Sequence, residues 1–212
     1  DAPRSGAIGY EMFIGDADGS AVRWGDFDEH QACGLCYTSG TTGLPKGVLY
    51  SHRSNYLHSL STLQQDFLNF SALDVVLPVV PMFHANAWGI AFSAPAAGAQ
   101  LVMPGTRLDG ASLHRLIEDE GVTFAAGVPT VWLGLLAYMK QAGVRFSTLQ
   151  RTVIGGSACP PAMLREFEDA YGVQVIHAWG MTEMSPLGTL VRLNWEQRQR
   201  PLEGNLYHAR FV

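Results

Sequence analysis

Residues 31–54 read QACGLCYTSGTTGLPKGVLYSHRS, an apolar run that gives way to a loop of hydroxyl residues and glycines and then to a lysine. Between Tyr37 and Gly47 stand four Ser/Thr hydroxyls, three glycines, one proline and Lys46. The run QACGLCYTS is short and apolar, so it predicts a strand that enters a glycine loop. A strand ending in serine, threonine and glycine can turn its backbone N–H groups inward as an anion-binding concavity, with hydroxyls as further donors and a lysine as mobile counter-charge. The stretch therefore reads as a phosphate grip. It departs from the G-x-x-x-x-G-K-[ST] loop, because Gly47 follows Lys46 where that loop has a metal-binding hydroxyl. A plain surface turn is the other reading, but it needs far fewer residues of this kind.

Outward from this loop, short apolar runs recur at 32–37, 74–80, 99–103, 122–127, 151–156 and 173–179, and segments with helical spacing lie at 54–67, 88–97, 112–120, 129–141 and 160–171. Strand and helix alternate. Parallel neighbours need a crossover that a helix usually supplies, so the expected fold is α/β, a mostly parallel β-sheet flanked by helices. Pro129 and Pro160 suit the first turns of helices, and Gly121, Gly143 and Gly172 suit their C-terminal caps.

Composition narrows the function. Of the 212 residues 47% are hydrophobic and 16% charged, which predicts a real core. A net charge of -5 gives no basic footprint, so nucleic acid is not expected as a partner. No apolar run reaches the length of a membrane span, and the first residues lack the layout of a signal peptide. Three cysteines without scaffold spacing fit a reducing, cytoplasmic setting. Cys33 and Cys36 form a CxxC, but it lies in an expected strand with no second pair, so both are read as packing residues.

YTSGTTGLPKG followed by VLYSHRS resembles the AMP-binding signature of the adenylate-forming superfamily. Three further stretches match that family's motifs in their family order: PMFHANAW (81–88), GGSACP (155–160) and WGMTE (179–183). The resemblance runs from about Ala32 to about Val191, and PMFHANAW with GVPTVW (127–132) is most similar to medium- and long-chain fatty acyl-CoA synthetases. It implies a central fragment of such an enzyme's large N-terminal domain: 1–31 an incomplete leading segment, 32–191 the AMP-binding core, 192–212 an incomplete or flexible trailing segment.

The resemblance implies ATP- and Mg2+-dependent activation of a fatty acid to an acyl-adenylate and then to acyl-CoA, with coenzyme A as co-substrate. Thr38, Ser39, Gly40, Thr41, Thr42, Gly43 and Lys46 would grip the phosphates. Thr182 would reach the α-phosphate, and Glu183 with Thr38 would hold the metal. Gly155, Gly156, Ser157 and Ala158 would pass backbone close to the adenine, where a Cβ would intrude. Ala178, Gly180 and Met181 would complete the nucleotide site, Trp179 would cover the other face of the adenine, and His177 could meet its edge or be a satisfied core histidine. Trp179 departs from the tyrosine more usual there.

His84 would lie beside the acyl carboxylate. The absence of an acid from FHANA disfavours an amino acid substrate. Trp88 would gate the acyl tunnel or be a core tryptophan, and Ala85, Gly89, Val128, Trp132 and Gly156 would line that tunnel. Met163, Phe167 and Tyr171 form a helical stripe expected in the core. Full-length members are much longer, and nothing after WGMTE resembles their ribose-binding aspartate or C-terminal lysine, so the chain alone is expected to be nearly inactive. The family leaves room for a homodimer. Two alternatives stay open: a catalytically silent ATP/AMP-binding domain, and an aryl or short-chain acid:CoA ligase.

Overall fold

The structure is a computed structural model that describes residues 8–15, 17–39 and 43–191. Its centre is a six-stranded sheet of order β4-β3-β5-β6-β7-β8, built from β3 (Val75–Pro78), β4 (Gln100–Leu101), β5 (Phe124–Gly127), β6 (Arg151–Ile154), β7 (Gln174–Gly180) and β8 (Leu187–Leu190). The first five run parallel and only β8 pairs antiparallel, with β7. The expectation of a mostly parallel sheet flanked by helices holds.

The strand sequences explain the two-faced core. Successive side chains alternate between faces, and both faces of a parallel sheet are covered, so each strand reads as an unbroken apolar run. Leu77, Ala125, Ile154 and Val175 enter one cluster with α5 (Gly110–Asp119), α6 (Pro129–Ala142) and α7 (Pro161–Arg165). Their strand neighbours Val76, Phe124, Ala126, Val153 and Ile176 enter the other, with α4 (Ile90–Ala97) and the short turn α3 (Ala85–Trp88). Met163 and Phe167 are buried as expected, with Tyr171 packed at the edge of the first cluster.

A buried ion pair braces the start of β3 against β6. Arg151 donates to the Asp74 carboxylate and to the carbonyls of Leu68 and Asn69, and Thr123 donates to the same carboxylate at 2.8 Å. Burial raises the Asp74 pKa, but bonds from Arg151, the Ser71 N–H and Thr123 outweigh it and hold the group below its ordinary value.

Several elements depart from the expectations. The strand at 32–38, β1 (Ala32–Thr38), joins no parallel sheet but forms an antiparallel hairpin with β2 (Lys46–Ser51), an element the periodicity had not marked. The chain between them is too short for a parallel crossover. β8 was likewise unmarked. The helix expected from 54 begins earlier, as α2 (His52–Leu63), because the Ser51 hydroxyl accepts the Ser54 N–H as an N-cap. The helix expected over 160–171 splits into α7 and a π-helical turn (Glu166–Ala170). Cys36 is buried, but Cys33 is exposed and its sulfur accepts from Asn55 Nδ2 at 3.0 Å, so Cys33 is not the packing residue expected. Among the described residues no helix is long and apolar enough to cross a membrane.

Candidate active site

The glycine-loop hairpin, the turn after β3 and the ends of β6 and β7 converge on one cleft of about 550 Å³. Ligands of open α/β sheets bind beyond the carboxyl ends of strands, and β6 and β7 both point their C-terminal ends here. The hairpin contributes Thr38, Ser39 and Lys46, with Thr38 and Lys46 directly paired across its strands. The turn after β3 brings His84, Ala85 and Trp88; the end of β6 brings Gly155 and Gly156. From β7 and the 3-10 turn Thr182–Met184 come Ala178, Gly180, Met181, Thr182 and Glu183. Three of the expected phosphate-gripping residues, Gly40, Thr41 and Thr42, lie outside the described residues. Gly43 is described, exposed, at φ +84°.

Here α3 runs against the handedness of the rest of the chain. Ala85, Asn86, Ala87 and Trp88 have φ of 48°, 54°, 51° and 57°, a left-handed turn in which each non-glycine residue costs roughly 1–2 kcal/mol. The helix expected to begin at Trp88 therefore starts only at Ile90, after Gly89 at φ +78°. The turn lays the Trp88 indole, 6% exposed, against β6. A Cβ on Gly155 would stand 3.2 Å from Trp88 Cη2 and 3.0 Å from the Ala178 carbonyl, and one on Gly156 would stand 3.2 Å from Val128 Cγ1. Glycine at 155 and 156 lets these groups close on the backbone. Two residues expected along an acyl tunnel face elsewhere: Gly89 is packed on the His58 ring, and Trp132, with no exposed surface, sits in the core edge-on to Phe167.

A second cavity of about 640 Å³ adjoins the first and shares Gly156, Ala178 and Gly180 with it. Ser157, Ala158, His177 and Trp179 line it. His177 Nε2 accepts the Cys159 N–H at 3.4 Å, which ties β7 to the 155–160 loop. Trp179 is 54% exposed, leaving an indole face open to a ligand. Gly180 admits no side chain, since a Cβ there would fall 2.3 Å from the Pro186 carbonyl oxygen.

Sequence reasoning passed over two residues behind the cleft. Tyr50 on β2, 2% exposed, donates its hydroxyl to the Thr182 carbonyl at 2.5 Å. Burial, with Cys36 and Glu183 nearby, pushes its phenol up to about 12. His58 on α2 accepts the Leu187 N–H through Nε2 at 3.3 Å, and burial lowers its imidazole to about 4. Tyr50 lies within the VLYSHRS part of the signature, but no role for it could be read there, and His58 lies outside every motif. Cys36, on the same hairpin face as Tyr50, directs its thiol at Asn86 Oδ1, 3.6 Å away.

Hydroxyl donors, a lysine, a carboxylate and a glycine-floored aromatic cavity thus meet at the strand ends of an α/β domain. The family model described as AMP-binding enzyme matches residues 14–205, and the chain belongs to that family. It is 61% identical over 188 residues to the medium-chain-fatty-acid--CoA ligase of Ectopseudomonas oleovorans, covering 89% of this chain and 34% of that protein. It is 54% identical over 189 residues to the 3-methylmercaptopropionyl-CoA ligase of Ruegeria lacuscaerulensis, again covering 89% and 34%. Among solved structures it resembles a long-chain-fatty-acid-CoA ligase from Archaeoglobus fulgidus, with TM-score 0.64, 26% identity and coverage of 74% of this chain and 32% of that one. The chain thus spans about a third of the length of the curated relatives it matches.

Proposed function

We propose that the protein carrying these residues is an AMP-forming acid:CoA ligase acting on a medium- or long-chain fatty acid, and that this chain holds its nucleotide cleft. The observation that carries the reading is that Lys46 and Glu183 line the same cleft. Phosphoryl and nucleotidyl transfers depend on positioning and on neutralising charge that spreads over oxygens. Thr38, Ser39 and the Lys46 ammonium donate to the β- and γ-phosphates, together with Gly40, Thr41, Thr42 and Gly43 of the same loop. The Thr182 hydroxyl donates to the α-phosphate. Gly155, Gly156, Ser157 and Ala158 floor the adenine, Trp179 covers it, and His177 keeps the loop in register.

His84 lines the same cleft, and its imidazole donates to the acid's carboxylate and steadies the attacking oxygen. That oxygen bonds to the α-phosphorus as pyrophosphate leaves; the coenzyme A thiol then displaces AMP from the acyl carbon. Ala85, Trp88 and Val128 form the apolar approach for the acyl chain, in which each buried CH2 contributes about 0.8 kcal/mol.

Among the described residues no group of three or more His, Cys, Asp or Glu comes together. A lone carboxylate, Glu183, with the Thr38 hydroxyl in the same cleft suits Mg2+, which takes one or two protein oxygens and leaves the rest to phosphate and water. When bound, Mg2+ offsets the negative charge of the phosphate oxygens.

The test is pyrophosphate release by the whole polypeptide with ATP, Mg2+, coenzyme A and a panel of acids. Turnover that depends on a C6–C18 fatty acid supports the reading, and none with any acid overturns it in favour of a silent nucleotide-binding domain. A second reading, a short-chain acid ligase, is favoured by the likeness to a 3-methylmercaptopropionyl-CoA ligase and by the near-complete burial of Trp88 against β6. A panel maximum at C3–C4 acids would select it.

A further inference from the structure

Thr38 and Lys46 hold the loop end of the hairpin's inner face, and the same face continues through Cys36 on β1 and Tyr50 on β2. Tyr50 lies four residues beyond Lys46 in one strand, so both side chains project to the same side. The Tyr50 ring is almost wholly enclosed, and its hydroxyl reaches the backbone carbonyl of Thr182 at 2.5 Å. Thr182 opens the 3-10 turn that carries Glu183. Among the described residues β1 and β2 pair only with each other, so no ladder bond sets the distance from the hairpin to this turn. The Tyr50 hydroxyl makes a hydrogen bond between them.

We infer that Tyr50 is a positioning residue for the nucleotide: by fixing the Thr182 carbonyl to the hairpin it sets the spacing between Lys46 and Glu183 at which one Mg2+-bound triphosphate touches both. The inference rests on the nucleotide reading above but not on the identity of the acid. The phenol, raised to about 12 by burial, keeps its proton at neutral pH and so remains the donor. Among the described residues the Thr182 carbonyl accepts besides only a long contact of 3.4 Å from the Ser185 N–H, so loss of the phenolic donor leaves this carbonyl weakly bonded.

The experiment is Tyr50→Phe in the whole polypeptide, which keeps the buried ring and removes only the donor. Two quantities are read: the calorimetric Kd for ATP with and without Mg2+, and the KM values for ATP and for the acid. We expect the melting temperature to stay within a few degrees. The tightening of ATP binding by Mg2+ should shrink roughly 3- to 10-fold, the loss expected for one good hydrogen bond. KM for ATP should rise by the same factor and KM for the acid should stay within about twofold. Wild-type-like Mg2+ dependence overturns the inference. So does a lowered melting temperature or active fraction with unchanged ATP affinity, which marks a purely structural tyrosine. If the wild-type protein turns over no acid, the ligase reading fails, while the binding measurement still decides for or against Tyr50.

Discussion

Lys46, at the start of β2, and Glu183, just beyond the end of β7, line one cleft although most of the described chain lies between them. The hairpin and the large sheet share no ladder among the described residues. Their meeting places a cation and a carboxylate where a single triphosphate with its metal reaches both.

Removing either group should separate function from folding. Both side chains are exposed, so Lys46→Ala and Glu183→Ala should leave the melting temperature nearly unchanged. Each should lower acid-dependent pyrophosphate release by roughly 10²-fold, about 3 kcal/mol of transition-state stabilisation. Steady-state assay of both variants checks this, and unchanged rates in both contradict the assignment of the cleft.

Gly89 supports a graded prediction. It sits at φ +78°, and a Cβ there would lie 2.6 Å from His58 Cε1, whereas Gly121, at φ +66°, faces open space. Gly121→Ala should cost about 1 kcal/mol from backbone strain alone, and Gly89→Ala roughly 2–4 kcal/mol because strain and overpacking add. Urea unfolding of the two variants gives the order; equal losses would show that the His58 ring yields freely.

His58 should make stability depend on pH. Its folded pKa of about 4 lies below the ordinary histidine value of 6.5, so between these values the unfolded chain binds a proton that the folded chain refuses. Stability is therefore unaffected above pH 6.5, declines as pH falls toward 4 and levels off below it, a total of roughly 3 kcal/mol. Unfolding midpoints measured from pH 7 to 4 should show this slope, and His58→Gln should flatten it. An unaltered slope in the variant would assign the titration to another group.

Asp74 braces the start of the sheet, so its removal should be felt globally. Asp74→Ala leaves the Arg151 guanidinium largely buried without its anion and should cost roughly 3–5 kcal/mol. The double variant Asp74→Ala/Arg151→Met should recover part of that loss, because the stranded charge is gone. Chemical denaturation of both proteins provides the comparison.

The parallel sheet was legible because both faces of each strand are buried, which writes Val, Ile, Ala and Leu into unbroken runs between helical segments. The cleft was legible because its parts lie in short stretches of unusual composition at strand ends. What escaped were features set by contacts distant in sequence. The antiparallel return of β2 depends on the brevity of the loop before it, and the left-handed turn at Ala85–Trp88 contradicts the intrinsic preference of its own residues. Trp132 was expected at a tunnel wall on the resemblance of its GVPTVW stretch, but the pitch of α6 turns it into the core. Tyr50 sits inside the signature without a role legible there and His58 lies outside every motif, and only the folded chain brings them to Thr182, Gly89 and Leu187.

The absence of any ladder between the hairpin and the large sheet, among the described residues, has a mechanical outcome. What spans the seam is side-chain bonding, Tyr50 to the Thr182 carbonyl and the Cys36 thiol to Asn86, and no strand-to-strand bond. The width of the cleft is therefore written in a few side chains and not in the backbone of either sheet.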